Sequence, residues 1–227
     1  MKPHNDIEAW NAYPQHRWAF NKLDLALRLG YDAAPIVVPV QRPGKYIIRP
    51  IYNLYGMGIG ATVRSLDPVI HEAMIENHKL GPPGTFWCEY KEGPLYSIDY
   101  HKLPNGTWEG WHAMEGTFDE KDLVKFHEWT RINVPEHADD LPGWFPHDIT
   151  EINVEWRGKS IIEVHLRAGN DVLHDEPIGT TLLPVWEGDV FVGGIDGELI
   201  PNEEEGRYDA NGYLHINRIG YIKKLLT

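Results

Sequence analysis

The stretch "INVEWRGKSIIEVHLRAGN", Ile152 to Asn170, restricts what this chain can fold into more than any other. In an extended backbone successive side chains leave opposite faces, so Ile162, Val164 and Leu166 alternate against Glu163, His165 and Arg167. The central "RGK" reads as a turn, and the strand before it can bring Glu155 opposite Glu163. An acid, an imidazole and a guanidinium are thereby collected on one face of a hairpin whose other face is apolar. Two carboxylates on one face repel each other, and a divalent cation relieves that cost; oxygen ligands suit Mg²⁺ carrying nucleotide phosphates. The competing reading is the solvated polar face of an edge strand, and the spacing alone leaves both open.

A second stretch, "KYIIRPIYNLYGMGIGA", runs an apolar strand through Arg49 into Gly56, Gly58 and Gly60. It contains no GxxxxGK[ST], and its third glycine comes one place too early for the GxGxxG of a dinucleotide fold. A glycine loop whose bare amides approach a phosphate, with Arg49 positioned beside it, is one reading. A hairpin turn with a surface arginine is the other.

Helices are expected at Trp18–Leu29, stopped by Gly30, and over "PVIHEAMIENHKL" behind an Asp67 N-cap. A third is expected over "KDLVKFHEWTRI", with Thr117 and Glu120 as a capping box. Strands are expected at "IVVPV", at "KYIIRPIY", and two or three times after Phe86, with Asn105-Gly106 as a type I′ turn. This order predicts an α+β protein with helices covering antiparallel sheets. No linker separates two domains; the proline-rich run Pro135–Pro146 reads as a loop crossing between lobes.

A net charge of −13 argues against a grip on nucleic acid, which relies on dense Lys and Arg. Cys88 is the one cysteine, so no internal disulfide or zinc knuckle exists, and its apolar strand beside Glu89 disfavours a reactive thiolate. The N-terminal residues lack a signal-peptide core and the longest apolar run, "APIVVPV", is short, so the expectation is a cytoplasmic chain with no membrane span. His71 opens an HExxH-like string, but Ile75 replaces the second histidine, which leaves His71 as an expected helix-surface residue. His101, His112 and His127 are too scattered to define a ligand set. Trp87, Trp108 and Trp111 read as packing residues.

Taken in order, these blocks resemble the ATP-grasp family of carboxylate-amine ligases over about Phe20 to Asn170. "NKLDLALRLGYDAAPIVVPV" is similar to the family's segment whose lysine contacts ATP phosphate, which places Lys22 there. "YIIRP" resembles its "vvKP" strand, with Arg49 for the phosphate-binding lysine, and "YGMGIGA" resembles the loop that closes over phosphates, with Gly56, Gly58 and Gly60. "FWCEYKEGPLYSID" resembles the strand entering the adenine pocket, with Glu89 and Tyr90 at the hinge. "VEW" and "IIEVHLR" resemble the blocks carrying the magnesium ligands, which implies Glu155, Glu163 and His165 as metal ligands and Arg167 beside the transferring group.

The chain departs from the family pattern at three places: Leu95 stands for the ribose-binding acid, His165 for a metal-binding Asn, and Asn153 for a phosphate-binding Arg. So little chain precedes Lys22 that a reduced member, of a size compatible with a phage genome, is expected. The resemblance implies an ATP-grasp-like fold, two α/β lobes at about 18–85 and 86–227 enclosing a nucleotide cleft. It implies ATP and Mg²⁺ as cofactors, Arg49 and Arg167 as catalytic cations, and small carboxylate and amine substrates joined through an acyl phosphate; oligomeric state is left open. The rival expectation, motivated by the three departures, is a non-catalytic ATP-grasp fold serving as a nucleotide-binding or structural, virion-associated module.

Overall fold

In the computed structural model the described residues are 2–52, 54, 60–77, 79, 81–119, 122–139, 141–169, 173–186, 189, 198–201 and 218–224. Gly56, Gly58 and Asn170 lie outside them, and so does Glu120. Three α-helices are described: α1 (Asp6–Ala12), α2 (Lys22–Arg28) and α3 (Pro68–Glu76). The first sheet is built from β1 (Ala33–Pro35), β2 (Gly44–Pro50), β3 (Thr62–Leu66) and β4 (Thr85–Glu89), in the order β1-β4-β2-β3. The second holds β5 (Leu95–Lys102), β6 (Trp108–Asp119), β7 (Asp122–Ile132), β8 (Glu151–Arg157), β9 (Ser160–His165), β10 (Thr181–Trp186), β11 (Glu198–Pro201) and β12 (Arg218–Lys224). Its order is β11-β12-β10-β7-β6-β5-β8-β9, and the pairings in both sheets are antiparallel.

This is the expected α+β class, and each sheet has its own core. Tyr46, Ile48 and Trp87 pack with Ile36, Val40 and Leu66 on one face of the first sheet. Ile98, Tyr100, Ile152, Val154 and Val164 pack with Phe20, Leu25 and Phe145 on the second. The sheets meet where α2 and the short link between β4 and β5 cross from one to the other. There the link rests on the β8–β9 turn: Gly158 N–H donates to Pro94 O (2.8 Å), and a Cβ on Gly93 would stand 2.7 Å from Gly158 Cα. Gly93 also has φ +112°, so only a glycine fits that approach.

Several elements differ from the sequence expectation. Of the helix expected over Lys121–Ile132, the described residues Asp122–Ile132 are strand β7, paired with β6 and β10. Its Phe126 packs against Trp129, Trp186 and Tyr221, and that cross-strand aromatic contact outweighs a helical apolar period. The helix expected at Trp18–Leu29 is divided at Asn21: a 3₁₀ helix covers Pro14–Phe20, and Asn21 Oδ1 accepts the Asp24 N–H (2.9 Å) to start α2 afresh. The "IVVPV" strand is shifted to Ala33–Pro35, since Pro35 and Pro39 interrupt the donors a ladder needs. Helix α3 ends at Glu76, earlier than expected, while Asp67 caps it as expected by accepting from Ile70 N–H (2.9 Å).

The Asn105-Gly106 turn is longer than a two-residue hairpin, closed by Leu103 N–H to Thr107 O (2.8 Å), with Gly106 at φ +88°. Helix α1 has no counterpart among the expected elements. Its signature is nonetheless visible: Asn5 accepts from Glu8 N–H (2.9 Å) and Glu8 accepts from His4 N–H (2.8 Å), a reciprocal cap.

His71, expected on a helix surface, is fully buried. Nδ1 accepts from Val40 N–H (3.0 Å), so Nε2 carries the proton and donates to Ile36 O (3.1 Å). Burial pushes its pKa below the ordinary value of 6.5, and only the hydrogen bond to Ile36 opposes that. The folded state therefore binds fewer protons here than the unfolded chain once pH drops through the ordinary histidine range, and stability falls with it. Replacing His71 by Met should flatten the decline in unfolding free energy between neutral and mildly acidic pH, measured by urea denaturation; an unchanged pH slope would refute the assignment.

Candidate nucleotide and metal site

Lys22 is the first residue of α2, and its position is set from both sides. Its N–H donates to Ile51 O (2.9 Å) at the end of β2, and the Asn21 side chain bonds Tyr52 Oη (2.9 Å). The Lys22 ammonium, 5% exposed, bonds Glu163 Oε1 on β9. Arg49 comes from β2, with Nη1 4.0 Å from Glu163 Oε2 and Nη2 donating to Ile162 O (2.8 Å). Residues from the small sheet, the helix and the large sheet thus converge on one carboxylate.

Ile162 owes its available carbonyl to a bulge. Glu155 pairs with Glu163 and Trp156 with Ile161, which leaves Ile162 without a partner on β8. The bulge corrects the strict alternation read from "SIIEVHLR": Ile161 enters the core with Val164 and Leu166, and Ile162 lines the cleft. Beyond it the register returns, so that Glu155 lies opposite Glu163 and Asn153 opposite His165. One oxygen or nitrogen from each of Glu155, Glu163 and His165 lies within 4.8 Å of the others.

His165 is the pivot to a residue the sequence reading did not single out. Its Nδ1 donates to Asp6 Oδ2 (2.9 Å), while Nε2 faces Glu155 (3.6 Å) and Glu163 (3.8 Å). Arg167 Nε donates to the other oxygen of Asp6 (2.8 Å), and its Nη1 donates to Ala168 O (3.0 Å). Asp6 lies in the first turn of α1, where an acid normally faces solvent, and no local pattern distinguishes it; only tertiary packing makes it 3% exposed.

The charges hold one another in their ionised forms. Burial alone disfavours the imidazolium, but Asp6 and the two glutamates raise the pKa of His165 to about 10. Burial likewise opposes ionisation of Glu163, and Lys22, His165 and Arg49 overcome it and lower its pKa. For Asp6 the same contest against burial is won by His165 and Arg167, and its pKa is lowered well below the carboxylate range. Burial pushes the Cys88 thiol up to about 11, in keeping with an unreactive cysteine.

Lys22, Arg49, Glu155 and Glu163 of this cluster form one wall of a cleft of ≈ 290 Å³ between the two sheets. Glu89, Tyr90 and Leu95 line it at the link between sheets, where Arg157 Nη2 donates to Tyr90 Oη (2.6 Å). Lys91 stands over the Tyr31 ring (3.7 Å) and bonds Glu89 (2.7 Å). Among its described lining residues the cleft holds five cationic side chains, Lys22, Arg49, Lys91, Arg157 and Arg218, against three acids, Glu89, Glu155 and Glu163. Within a chain of net charge −13, that local excess favours a polyanion. Gly60, the last of the three loop glycines, has φ +77° and directly precedes Ala61, which lines the cleft.

The structure therefore brings Lys22, Arg49, Glu155, Glu163 and His165 together, and joins Arg167 to them through Asp6. Two imidazoles and one carboxylate would suit a transition metal, whereas Glu155 and Glu163 with one imidazole supply mostly oxygen, the donor type Mg²⁺ takes. The Nδ1–H of His165 is fixed on Asp6, which leaves Nε2 facing the glutamates as a ligand would.

No protein-family model matches the sequence, and none of the curated proteins matches it. Solved structures do share its fold. N5-carboxyaminoimidazole synthetase from Staphylococcus aureus complexed with ADP superposes with TM-score 0.58 at 10% identity, over 94% of this chain and 69% of that one. N5-carboxyaminoimidazole ribonucleotide synthetase from Thermus thermophilus gives 0.55 at 12% identity, over 97% and 75%. L-amino acid ligase from Bacillus licheniformis gives 0.46 at 11%, over 74% of this chain; the chain spans 47% of that ligase. The chain thus shares the fold of the two synthetases, in line with the ATP-grasp-like fold that the resemblance implies. Among the described residues no helix is long and apolar enough to cross a membrane.

The charge network makes a direct stability prediction. Asp6→Asn keeps the shape but leaves the His165 and Arg167 cations without their buried anion, so unfolding free energy should drop by about 3 kcal/mol. Guanidinium denaturation measures it; a loss under about 1 kcal/mol would show that Asp6 is not the counter-ion.

Proposed function

We propose that this chain, an ATP-grasp fold, binds Mg·ATP in the cleft between its sheets and uses it to join a small carboxylate to an amine. The observation that carries the reading is the convergence of Lys22 and Arg49 with Glu155 and Glu163, from a different sheet, on one wall of that cleft, with a His165 donor atom within 4.8 Å of both glutamates. Glu155, Glu163 and His165 would hold Mg²⁺, which supplies charge neutralisation for the phosphates.

What the chain's own groups do follows from their present partners. Lys22 rests on Glu163, the carboxylate it would share with the cation, so nucleotide binding exchanges one positive partner of Glu163 for another and turns the Lys22 ammonium toward phosphate. Arg49 is anchored by one Nη to Ile162 O, which fixes the plane of its guanidinium on the cleft wall. Tyr90 and the aliphatic Leu95 line the end nearest the inter-sheet link, where a base would stack and a ribose would meet an apolar side chain. A substrate carboxylate oxygen attacks the γ-phosphorus and ADP departs; the amine then attacks the acyl carbon and inorganic phosphate leaves. Lys22 and Arg49 offset the charge gathered on the transferring group, and Arg167 adds a third cation to the same network through Asp6.

A second reading, a non-catalytic nucleotide-binding or structural module, is favoured by one observation: His165 stands as a buried imidazolium, pKa about 10, on the site a divalent cation would enter. Isothermal titration of ATP with and without Mg²⁺, followed by ADP release with panels of acids and amines, separates the two. The ligase reading expects Mg²⁺-dependent ATP binding, substrate-dependent ADP release, and at least a 100-fold loss of turnover in Glu163→Gln that still folds by circular dichroism. ATP binding without any turnover selects a nucleotide-binding module, and no ATP binding overturns the ligase reading and leaves the structural one.

A further inference from the structure

A second cluster of ligand-type side chains lies on the same face of the large sheet, away from the cleft-lining residues. In register, His112 on β6 sits opposite Asp99 on β5, Asp99 opposite Asn153 on β8, and Asn153 opposite His165 on β9. Asp99 and His165 are thus two strands apart, about 10 Å at the usual strand spacing. His174, in the connection between β9 and β10, closes on this row with Nε2 2.8 Å from Asp99 Oδ2. The rings of His112 and His174 stand 4.4 Å apart at their centroids, and Trp111 lies against both.

Asp99 is 1% exposed, and its two oxygens are divided between tasks. Oδ1 accepts from Gly169 N–H (2.6 Å) and from Asn153 Nδ2 (2.8 Å), which leaves Oδ2 directed to the imidazoles. Asn153 is itself fixed by Ser97 Oγ (2.9 Å). The other side is equally braced: Arg131 Nη1 donates to the carbonyls of Leu173 (2.8 Å) and His174, and Leu173 is buried with Met114 and Leu182. One donor atom from each of Asp99, His112 and His174 lies within 4.8 Å of the others. Ligand atoms around a tetrahedral zinc bound at about 2.0–2.1 Å are separated by about 3.3 Å, so side-chain adjustments bring these three to coordination.

We propose that Asp99, His112 and His174 form a second metal site, for a divalent transition ion of the zinc class, tying the β9–β10 connection to the sheet. Two imidazoles with one carboxylate select zinc over Mg²⁺, so the site is chemically distinct from the glutamate-rich one. Asn153 and the Gly169 amide supply the outer shell that orients the carboxylate, as metal-bound carboxylates require. Its existence does not depend on the ligase reading.

Untagged full-length protein, stripped with chelator and titrated with Zn²⁺ in excess Mg²⁺, should take up one tightly held equivalent and gain several degrees in Tm. X-ray absorption at the zinc edge of that wild-type sample should show two imidazoles. His174→Asn should weaken Zn²⁺ binding at least 100-fold, while Glu163→Gln leaves it unchanged. Absence of uptake overturns the proposal; so does a spectrum with a single imidazole, or loss of binding in Glu163→Gln with retention in His174→Asn, either of which would place the ion at Glu155, Glu163 and His165. The wild-type spectrum decides even where a variant fails to fold.

Discussion

Glu163 sits between Lys22, Arg49 and His165, and the meeting of the two sheets depends on that carboxylate. Each of its cationic neighbours arrives from a different element: the start of α2, strand β2 and Glu163's own strand β9. A single buried acid would be expelled or protonated, and three buried cations near one another would repel; together they are held. The alternation continues through His165 to Asp6 and on to Arg167, so α1 is docked by the same chain of charges. Apolar contact builds each sheet's core and seats α2 against both, through Leu25 on one side and Ala26 on the other, whereas the contact of Lys22 and Arg49 with Glu163 is polar.

A polar junction suits a site more than it suits stability. Replacing such charges by packed apolar groups is often neutral or stabilising, so stability alone does not account for their presence where a cleft opens. Lys22 occupies the position on Glu163 that a divalent cation would compete for, and the charge of that acid is therefore already neutralised. In the proposed reading a ligand would enter by exchanging partners rather than by creating a charged hole.

The strands that carry the site were legible because alternation is a local property. "VEW" and "IIEVHLR" showed Glu155, Glu163 and His165 sharing a face, as they do across β8 and β9, while Ile162 was placed on the wrong face because a bulge is not visible in the alternation. The cap at Asp67 and the stop at Gly30 were legible for the same reason. Asp6 was not, because nothing near it in sequence says that helix α1 lies against β9; nor was the row from His112 to His165, which exists only once β6, β5, β8 and β9 are aligned. Strand β7 was misread because Leu123, Phe126 and Trp129 recur at the three-residue spacing of a helix; the partners β6 and β10 decide, and register shifts against β6 break the strict alternation of a strand.

The bulge at Ile162 shows how a one-residue departure can set the chemistry of a whole face. With strict pairing, a strand that buries Ile161 would turn Glu163 inward as well, since side chains two apart share a side. The unpaired Ile162 resets the phase: Ile161 stays in the core while Glu163 and His165 emerge on the opposite face, in line with Glu155 and Asn153. The same residue, lacking a ladder partner on β8, offers its carbonyl to Arg49. One irregularity thus aims the acids into the cleft and fixes the guanidinium that faces them, which a regular hairpin of the same composition could not do.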